Sequence, residues 1–526
     1  MAFVGELRPY QKEAFDRMVE EETMIVAYDM GLGKTPTTIA VLEKLLEDEE
    51  VRAGIIVAPA SLKYQWMREI HKFTEGALVL VIDGTPAQRQ KQYAIAHKYE
   101  YVIINYEQVI NDWKYIKELE QDFVVLDEAT KISNPKTKRT KGVKKMKPTF
   151  RYALTGQPLE NRAEEVWSIG EWVDETVLGR YDIYDKTFIK RNKYTGKVIG
   201  IDNAPLLHSL LEEMMVRKKR TDPDVAPFLP AVEEEIYSVD FEGKARTLYR
   251  QIAGDLLQYL YEMKASTNFD LAAHYGQASG NQNFQQLGDI MSRFSCLAML
   301  CTNPGILLKS AQRWEETKDL PKTQRDGSRY AHMLWKRGDL DGLPTQAPKT
   351  HAALELIEEI VTASPVNKVV LFSFYKDMLY DLKAQLRDRL GYKAVLFTGD
   401  MNAKQKDQAK LQFQFDSMTK VFLSSDAGGY GVDLPQANYL INADLPWSAG
   451  KWDQRNARII RLSSEFDSVN LIHILMRGSI EERQYETLEE KRLIASAVVD
   501  GKGADKQGKI TLSMGTLREF LERSEV

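Results

Sequence analysis

Short apolar runs of four to seven residues recur in two separate blocks of this 526-residue chain, and that rhythm restricts the folds open to it. The first block holds runs at 24–27, 53–58, 78–82, 101–105, 123–126 and 152–155. The second holds runs at 368–374, 394–397, 421–424, 439–443 and 469–475. Segments of helical spacing separate the runs. Strands buried on both faces by flanking helices give this pattern, whereas half-solvated strands would alternate apolar with polar residues. Two blocks predict two α/β lobes, each a parallel sheet flanked by helices. The length agrees, because a single hydrophobic core stops growing near roughly 250–300 residues. Between 160 and 345 the rhythm fades. Leucine and methionine at helical spacing dominate around 206–216 and 256–263, and polar stretches at 276–286 and 320–350 read as loops or helix connections. The predicted order is a first lobe over 1–232 with a helical protrusion from about 160, then a mostly helical insertion over 233–348. A second lobe over 349–490 and a helical tail over 491–526 complete it.

The run ending at Ala27 leads into Tyr28-Asp29-Met30-Gly31-Leu32-Gly33-Lys34-Thr35 and then a helical pattern. Strand, glycine turn and Gly-Lys-Thr at a helix start are the parts of a phosphate loop. Gly31 and Gly33 let backbone N–H groups face phosphates, and the helix N-terminus adds a favourable dipole. Lys34 is placed to reach the outer phosphates, and Thr35 to ligate magnesium. Tyr28 stands where such motifs usually carry their first glycine. A second element supports the assignment. The apolar run 123–126 ends in Asp127-Glu128, where Asp127 can hold magnesium and Glu128 can orient or deprotonate a water. Either element alone has a plainer explanation, a surface turn or an acidic strand end. Together in one lobe they predict a nucleoside triphosphate hydrolase.

Bulk properties exclude several classes. No apolar run approaches the ~18–20 residues of a membrane helix, and the first residues lack the basic stretch and apolar core of a signal peptide. Cys296 and Cys301 fit neither a zinc pair nor a disulfide framework, and the seven histidines show no metal-ligand spacing. A soluble cytoplasmic protein of a bacterium, archaeon or infecting virus, monomeric and without a membrane partner, is the expectation. The net charge of −5 argues weakly against a nucleic-acid partner, since phosphates need only a local basic surface. Lys136, Lys138, Arg139, Lys141, Lys144, Lys145 and Lys147, with no acid among them, supply a candidate.

The ordered motifs resemble those of the Snf-type (switch/sucrose non-fermenting) ATPases of helicase superfamily two, over nearly the whole chain. Leu7-Arg8-Pro9-Tyr10-Gln11 is similar to the family's adenine-reading element, and Asp29 to Thr35 to its first ATP motif. Ile55 to Leu62 with Trp66 resembles the next. Asp127-Glu128-Ala129-Thr130 resembles its acidic box, with Thr130 where histidine is usual. Leu154-Thr155-Gly156-Gln157-Pro158 resembles its coupling motif, with Gln157 in place of threonine or serine. In the second lobe Val370 to Tyr375, Leu423 to Leu434 and Asp444-Leu445-Pro446-Trp447 match further elements. Gln454, Arg458 and Arg461 fall at the spacing of the sixth motif, followed by Leu462-Ser463-Ser464 where the family has isoleucine-glycine-glutamine.

The resemblance implies two RecA-like lobes, with ATP and Mg2+ at a shared site and double-stranded DNA as track. Gln11, Gly31, Gly33, Lys34, Thr35 and Asp433 would bind the nucleotide, and Thr35 with Asp127 the metal. Lys34, Glu128, Gln454, Arg458 and Arg461 would carry catalysis. The spacing of Gln454, Arg458 and Arg461 predicts one shared helix face, from which the arginines would stabilise transition-state charge. Ser61, Lys63, Ser373 and Ser425 would touch backbone phosphates of the tracking strand, and Trp447 would either approach the groove or pack internally. The implied activity is a nucleic-acid-stimulated ATPase that moves along duplex DNA. A strand-separating DNA or RNA helicase is the alternative, and a nucleotide-switched binding module a more distant one.

Overall fold

Alternate residues of each central strand enter different hydrophobic clusters. Ile25, Ala27, Ile55 and Val57 pack on one side of the first sheet, and Met24, Val26, Tyr28, Ile56 and Ala58 on the other. Both faces are therefore covered, which is why these runs are apolar without alternation. The computed structural model describes residues 3–156, 163–191, 198–262, 284–344, 347–426, 432–499 and 521. The chain divides into two compact units, one built on Met1–Pro230 and the other on Ala231–Glu489.

The first unit contains β1 (Thr23–Tyr28), β2 (Gly54–Ala58), β3 (Val79–Val81), β4 (Tyr101–Asn105), β5 (Phe123–Asp127), β6 (Phe150–Leu154), the hairpin of β7 (Ile189–Arg191) and β8 (Val198–Ile201), and β9 (Met215–Lys218). Seven of these form one parallel sheet in the order β3-β4-β2-β5-β6-β1-β9. Asp127 of β5 and Val26 of β1 both stand opposite Leu154 of β6, and Tyr28 stands opposite Lys218 of β9. The register thus brings the phosphate loop, the acidic strand end and the start of the coupling segment to the carboxyl end of the sheet.

The second unit contains β10 (Ala231–Val239), β11 (Val369–Phe372), β12 (Lys393–Phe397), β13 (Thr419–Ser424), β14 (Tyr439–Asn442) and β15 (Ser468–Met476), all parallel, in the order β10-β15-β14-β11-β13-β12. Helices Lys244–Glu262, Phe284–Thr302, Pro304–Thr317 and Arg329–Lys336 pack against the same core as β11 and β13 to β15. Ile252, Leu256, Phe294 and Leu297 are buried there, each stabilising the unit by about 1.5–3 kcal/mol. These helices thicken the second unit's core instead of forming a core of their own.

Two expectations need correction. The helical spacing at 206–216 ends early, because the helix Ala204–Met214 stops and Met215-Val216 pair with Ile25-Val26 as strand β9. The helical insertion expected from 233 begins instead within strand β10, where exposed Glu233, Glu234 and Glu235 interrupt the apolar residues Val232 and Ile236. Residues 276–283, Gln157 to Asn161 of the coupling motif, Ala427 to Gly431 of the fifth motif and nearly all of the tail beyond Val499 lie outside the described residues.

Candidate functional site

The phosphate loop is shaped by its two glycines. Gly31 and Gly33 have φ of +87° and +82°, a region that side chains other than glycine's rarely enter. Gly33 caps the helix Lys34–Glu47, so the helix dipole and free N–H groups open toward the loop. Lys34 Nζ donates to the carbonyls of Tyr28 (2.8 Å) and Asp29 (3.3 Å), which folds its charge over the loop. Gln11 closes the other side. Its Nε2 donates to the Leu32 carbonyl (3.1 Å), its Oε1 accepts from Arg8 N–H (2.9 Å), and a Cβ on Gly33 would come within 2.2 Å of Nε2. Tyr10 Oη donates to the same Leu32 carbonyl (3.0 Å). The glutamine is buried against the loop backbone, with Arg8 stacked 4.3 Å above the Phe228 ring beside it.

Asp127 and Glu128 follow β5. The Asp127 carboxylate accepts from the indole Nε1 of buried Trp66 (2.9 Å) and from the Glu128 N–H (2.9 Å). Burial and the neighbouring Glu128 carboxylate push its pKa up to about 6, against the pull of the Trp66 hydrogen bond and of Lys34. Such a carboxylate gains from a bound cation. Magnesium suits the donor set of Asp127 and the Thr35 hydroxyl, because it binds through one or two carboxylates plus substrate phosphates. Glu128 has φ 53° and ψ 56°. This left-handed conformation is uncommon outside glycine and costs on the order of 1–3 kcal/mol. It turns the glutamate out of the strand's line, and strain of this kind concentrates at functional positions.

The second unit differs from the predicted helix face. Gln454 lies in the helix Ala449–Asn456, but Arg458 and Arg461 lie beyond its end. The physical reason is burial: Ile459 and Ile460 turn into the core with Val432 and Leu434, and the Arg458 carbonyl accepts from Leu434 N–H (3.0 Å). Arg458 Nη1 donates to the Val432 carbonyl (3.3 Å). Arg461 pairs with Asp433 at 2.5 Å, and its buried Nε has no hydrogen-bond partner among the described residues.

Of the residues expected at DNA phosphates, only Ser61 is exposed. The Lys63 side chain is 2% exposed and donates to the Ile82 carbonyl (2.6 Å) and to Asp83 (3.1 Å), so it anchors a loop and presents no charge to a track. Ser373 is also buried, its Oγ donating to Asp444 (2.6 Å), and Ser425 is buried. Trp447 packs on Phe294 with ring centroids 4.8 Å apart, the internal packing that its sequence context left open. The basic run is partly neutralised. Arg139 pairs with Glu107 (2.9 Å), Lys147 with Glu175 (3.0 Å) and Lys144 with Glu171. Lys136, Lys138 and Lys141 are exposed.

Arg455, which no motif singled out, organises the second unit. It is 3% exposed and binds Asp426 (2.6 Å), the Asp444 carboxylate (3.2 Å) and the Asp444 carbonyl (2.6 Å). Asp444 in turn accepts from Ser373 and from Phe374 N–H (2.9 Å), tying four motifs together. Adjacency to Gln454 was the available signal. Trp66 was visible as a motif residue, but nothing in the sequence gave its bond to Asp127.

Two family models match the chain: the SNF2-related domain over residues 10–305 and the helicase conserved C-terminal domain over 352–463. The putative ATP-dependent helicase/translocase YwqA of Bacillus subtilis (strain 168) is 25% identical over 509 residues, 95% of this chain and 50% of its own length. The DNA repair and recombination protein RAD54B of Gallus gallus is 25% identical over 529 residues, 94% of this chain and 54% of its own. The chain thus spans about half the length of these curated relatives. Its fold is like that of the Pyrococcus furiosus Hef helicase domain, with 16% identity and a TM-score of 0.54 over 91% of this chain and 98% of that one. With the first model covering more than half of its length, and two RecA-like lobes as its architecture, the chain belongs to the SNF2-related family.

Proposed function

We propose that the protein is an ATP-driven translocase on double-stranded DNA. The observation that supports the ATP-driven part of this reading is the placement of Lys34, Asp127 and Glu128 at the carboxyl ends of β1 and β5, with Glu128 held in a left-handed conformation. Lys34 leaves the Tyr28 and Asp29 carbonyls for the outer phosphates of ATP, whose charge the loop N–H groups and the helix N-terminus also meet. Thr35 and Asp127 would hold magnesium, which would neutralise phosphate charge. Glu128 orients the attacking water and accepts its proton. Arg458 and Arg461 offset the negative charge carried by the transferred phosphoryl group in the transition state, which requires Arg461 to exchange Asp433 for phosphate. Gln454 assists them, Asp433 then contacts the ribose, and Gln11 serves the adenine side.

Duplex DNA as track is supported by family membership and by relatives named for DNA repair and recombination and for translocation. With Lys63, Ser373 and Ser425 buried, Ser61, backbone amides and the exposed Lys136, Lys138 and Lys141 are the groups proposed to meet backbone phosphates, and these position without reading sequence. Duplex DNA is expected to stimulate ATP hydrolysis more than a single strand of equal length, and stimulation should rise with duplex length. ATP-dependent displacement of a triplex-forming third strand, with a forked duplex left paired, is the expected signature. Glu128→Gln should bind ATP and stop turnover. Efficient unwinding of the fork at physiological salt would replace this reading with a strand-separating helicase.

A further inference from the structure

The end of β9 holds the phosphate loop from a side that none of the nucleotide motifs accounts for. Arg217 is the penultimate residue of β9, the short strand at the sheet edge beside β1. Its Nη1 donates to the Ala27 carbonyl (2.7 Å) and, more weakly, to those of Gly156 (3.3 Å) and Lys218 (3.4 Å). Its Nη2 pairs with the Asp29 carboxylate at 2.8 Å. The other Asp29 oxygen accepts the Arg220 N–H (3.1 Å), and Asp29 N–H donates to the Lys218 carbonyl (2.9 Å). The Arg220 guanidinium lies 3.3 Å from the Met30 carbonyl. A Cβ on Gly156 would come within 3.1 Å of the Met30 side chain, so the start of the coupling segment rests directly on the loop.

We infer that Arg217, through Asp29, is a positioning residue that fixes the phosphate loop in its nucleotide-ready shape and ties it to Gly156 at the start of the coupling segment. The inference rests on the nucleotide-site reading proposed above. The physical need is plain. Lys34 now satisfies the Tyr28 and Asp29 carbonyls, and on binding phosphate it gives both up. A loop that loses those bonds keeps its shape only if something else holds Asp29, and Arg217 and the Arg220 N–H hold it twice. The planar guanidinium serves carboxylate and carbonyls together, which a lysine's single ammonium cannot match. Arg217 does not reach the phosphates in this argument. It acts through Asp29 and Gly156.

The test is titration of the full chain with the magnesium complex of a non-hydrolysable ATP analogue, well below the melting temperature, for Arg217→Gln, Arg217→Lys, Asp29→Asn and the double variant Asp29→Asn/Arg217→Gln. Each neutral single variant is expected to weaken affinity on the order of tenfold, within the range of coupling energies between contacting groups. The double variant should be weaker than the worse single by less than the product of the two losses, because both remove the shared Arg217–Asp29 pair while Arg217 alone also holds Gly156. Arg217→Lys should fall between wild type and Arg217→Gln. Melting temperatures of the nucleotide-free variants separate positioning from folding: affinity should fall in protein that melts within a few degrees of wild type. Affinities within twofold of wild type in both singles, or losses that multiply in the double variant, would overturn the inference. So would affinity losses matched by large drops in melting temperature. An unmutated chain that fails to bind the analogue at all would remove the nucleotide-site reading and this inference with it.

Discussion

Lys34 in the first unit and Arg461 in the second are both proposed to be phosphate-directed cations, yet the chain holds them by different means. Lys34 is set by backbone: a strand end, two left-handed glycines and a helix start within seven residues. Arg461 is set by side chains brought from elsewhere in the fold. Asp433 pairs with it, and the neighbouring Arg455 is locked to Asp426 and Asp444. A backbone-built site is ready before its ligand arrives. A site built from ion pairs must exchange one partner for another, so its charge becomes available only when a better anion is present. That difference suits an enzyme that keeps nucleotide bound and gates its hydrolysis.

Replacing each residue by alanine is the sharpest test of the contrast. Lys34→Ala should remove turnover and much of the nucleotide affinity together. Arg461→Ala should lower turnover on the order of 10³-fold or more, as loss of an arginine finger does, while affinity stays near wild type. Steady-state hydrolysis and nucleotide titration on the same preparations give both numbers. Equal failure of binding and turnover in Arg461→Ala would break the contrast and make its pairing with Asp433 a folding element.

The Arg455 cluster should respond in stability where the phosphate loop responds in binding. Arg455→Ala leaves Asp426 and Asp444 as buried carboxylates without their counter-charge, a loss of about 3–5 kcal/mol. Urea unfolding should show the second unit's transition moved to lower denaturant, with the first unit still stabilised by nucleotide. The pH dependence has a definite sign. Burial raises the Asp426 pKa, but Arg455 more than offsets it and holds the carboxyl below its usual range. A lowered folded-state pKa contributes stability that is complete above the unfolded value, about 3.9, and is lost as pH falls through the folded one. The wild-type second unit should therefore keep this contribution down to pH values at which the variant, with Asp426 no longer depressed, has none to lose. Matching acid-unfolding curves for the two proteins would contradict the cluster's assigned role.

What the sequence disclosed follows the same division. The strands 101–105 and 123–126, the glycine turn and Asp127-Glu128 are local features whose geometry their own residues dictate, and all could be read. Gln454, Arg458 and Arg461 were found by spacing, but the helix they suggested ends at Asn456 because Ile459 and Ile460 are drawn into a core that no local pattern reveals. Strand β9 was hidden in a helical spacing, since pairing with β1 decides the conformation of Met215-Val216 over their intrinsic preference. With β9 hidden, Arg217 had no visible relation to Asp29, 188 positions earlier in the chain. Lys63 was given to backbone phosphates by resemblance, and a sequence does not show that Ile82 and Asp83 close over it.

The smallest expected effect concerns the basic run, where the surface cations of the first unit can be compared with one another. Arg139, Lys144 and Lys147 already pair with Glu107, Glu171 and Glu175, and Lys145 lies 5.6 Å from the Trp113 ring centroid. An acid-paired cation releases few counterions on meeting a phosphate, because its charge is largely compensated beforehand. Lys136, Lys138 and Lys141 are exposed at the start of the run, two of them on the short helix Lys138–Val143. If the run meets duplex phosphates, these three carry the contact. Changing Lys136, Lys138 and Lys141 together to glutamine should weaken duplex affinity and flatten the dependence of log K on log salt by close to one unit per lost contact. Changing Arg139, Lys144 and Lys147 instead should leave the slope nearly unaltered. Equal slopes for both triple variants and wild type would return the whole segment to the solvent, while a larger effect from the acid-paired set would show that DNA displaces Glu107, Glu171 and Glu175 from their partners.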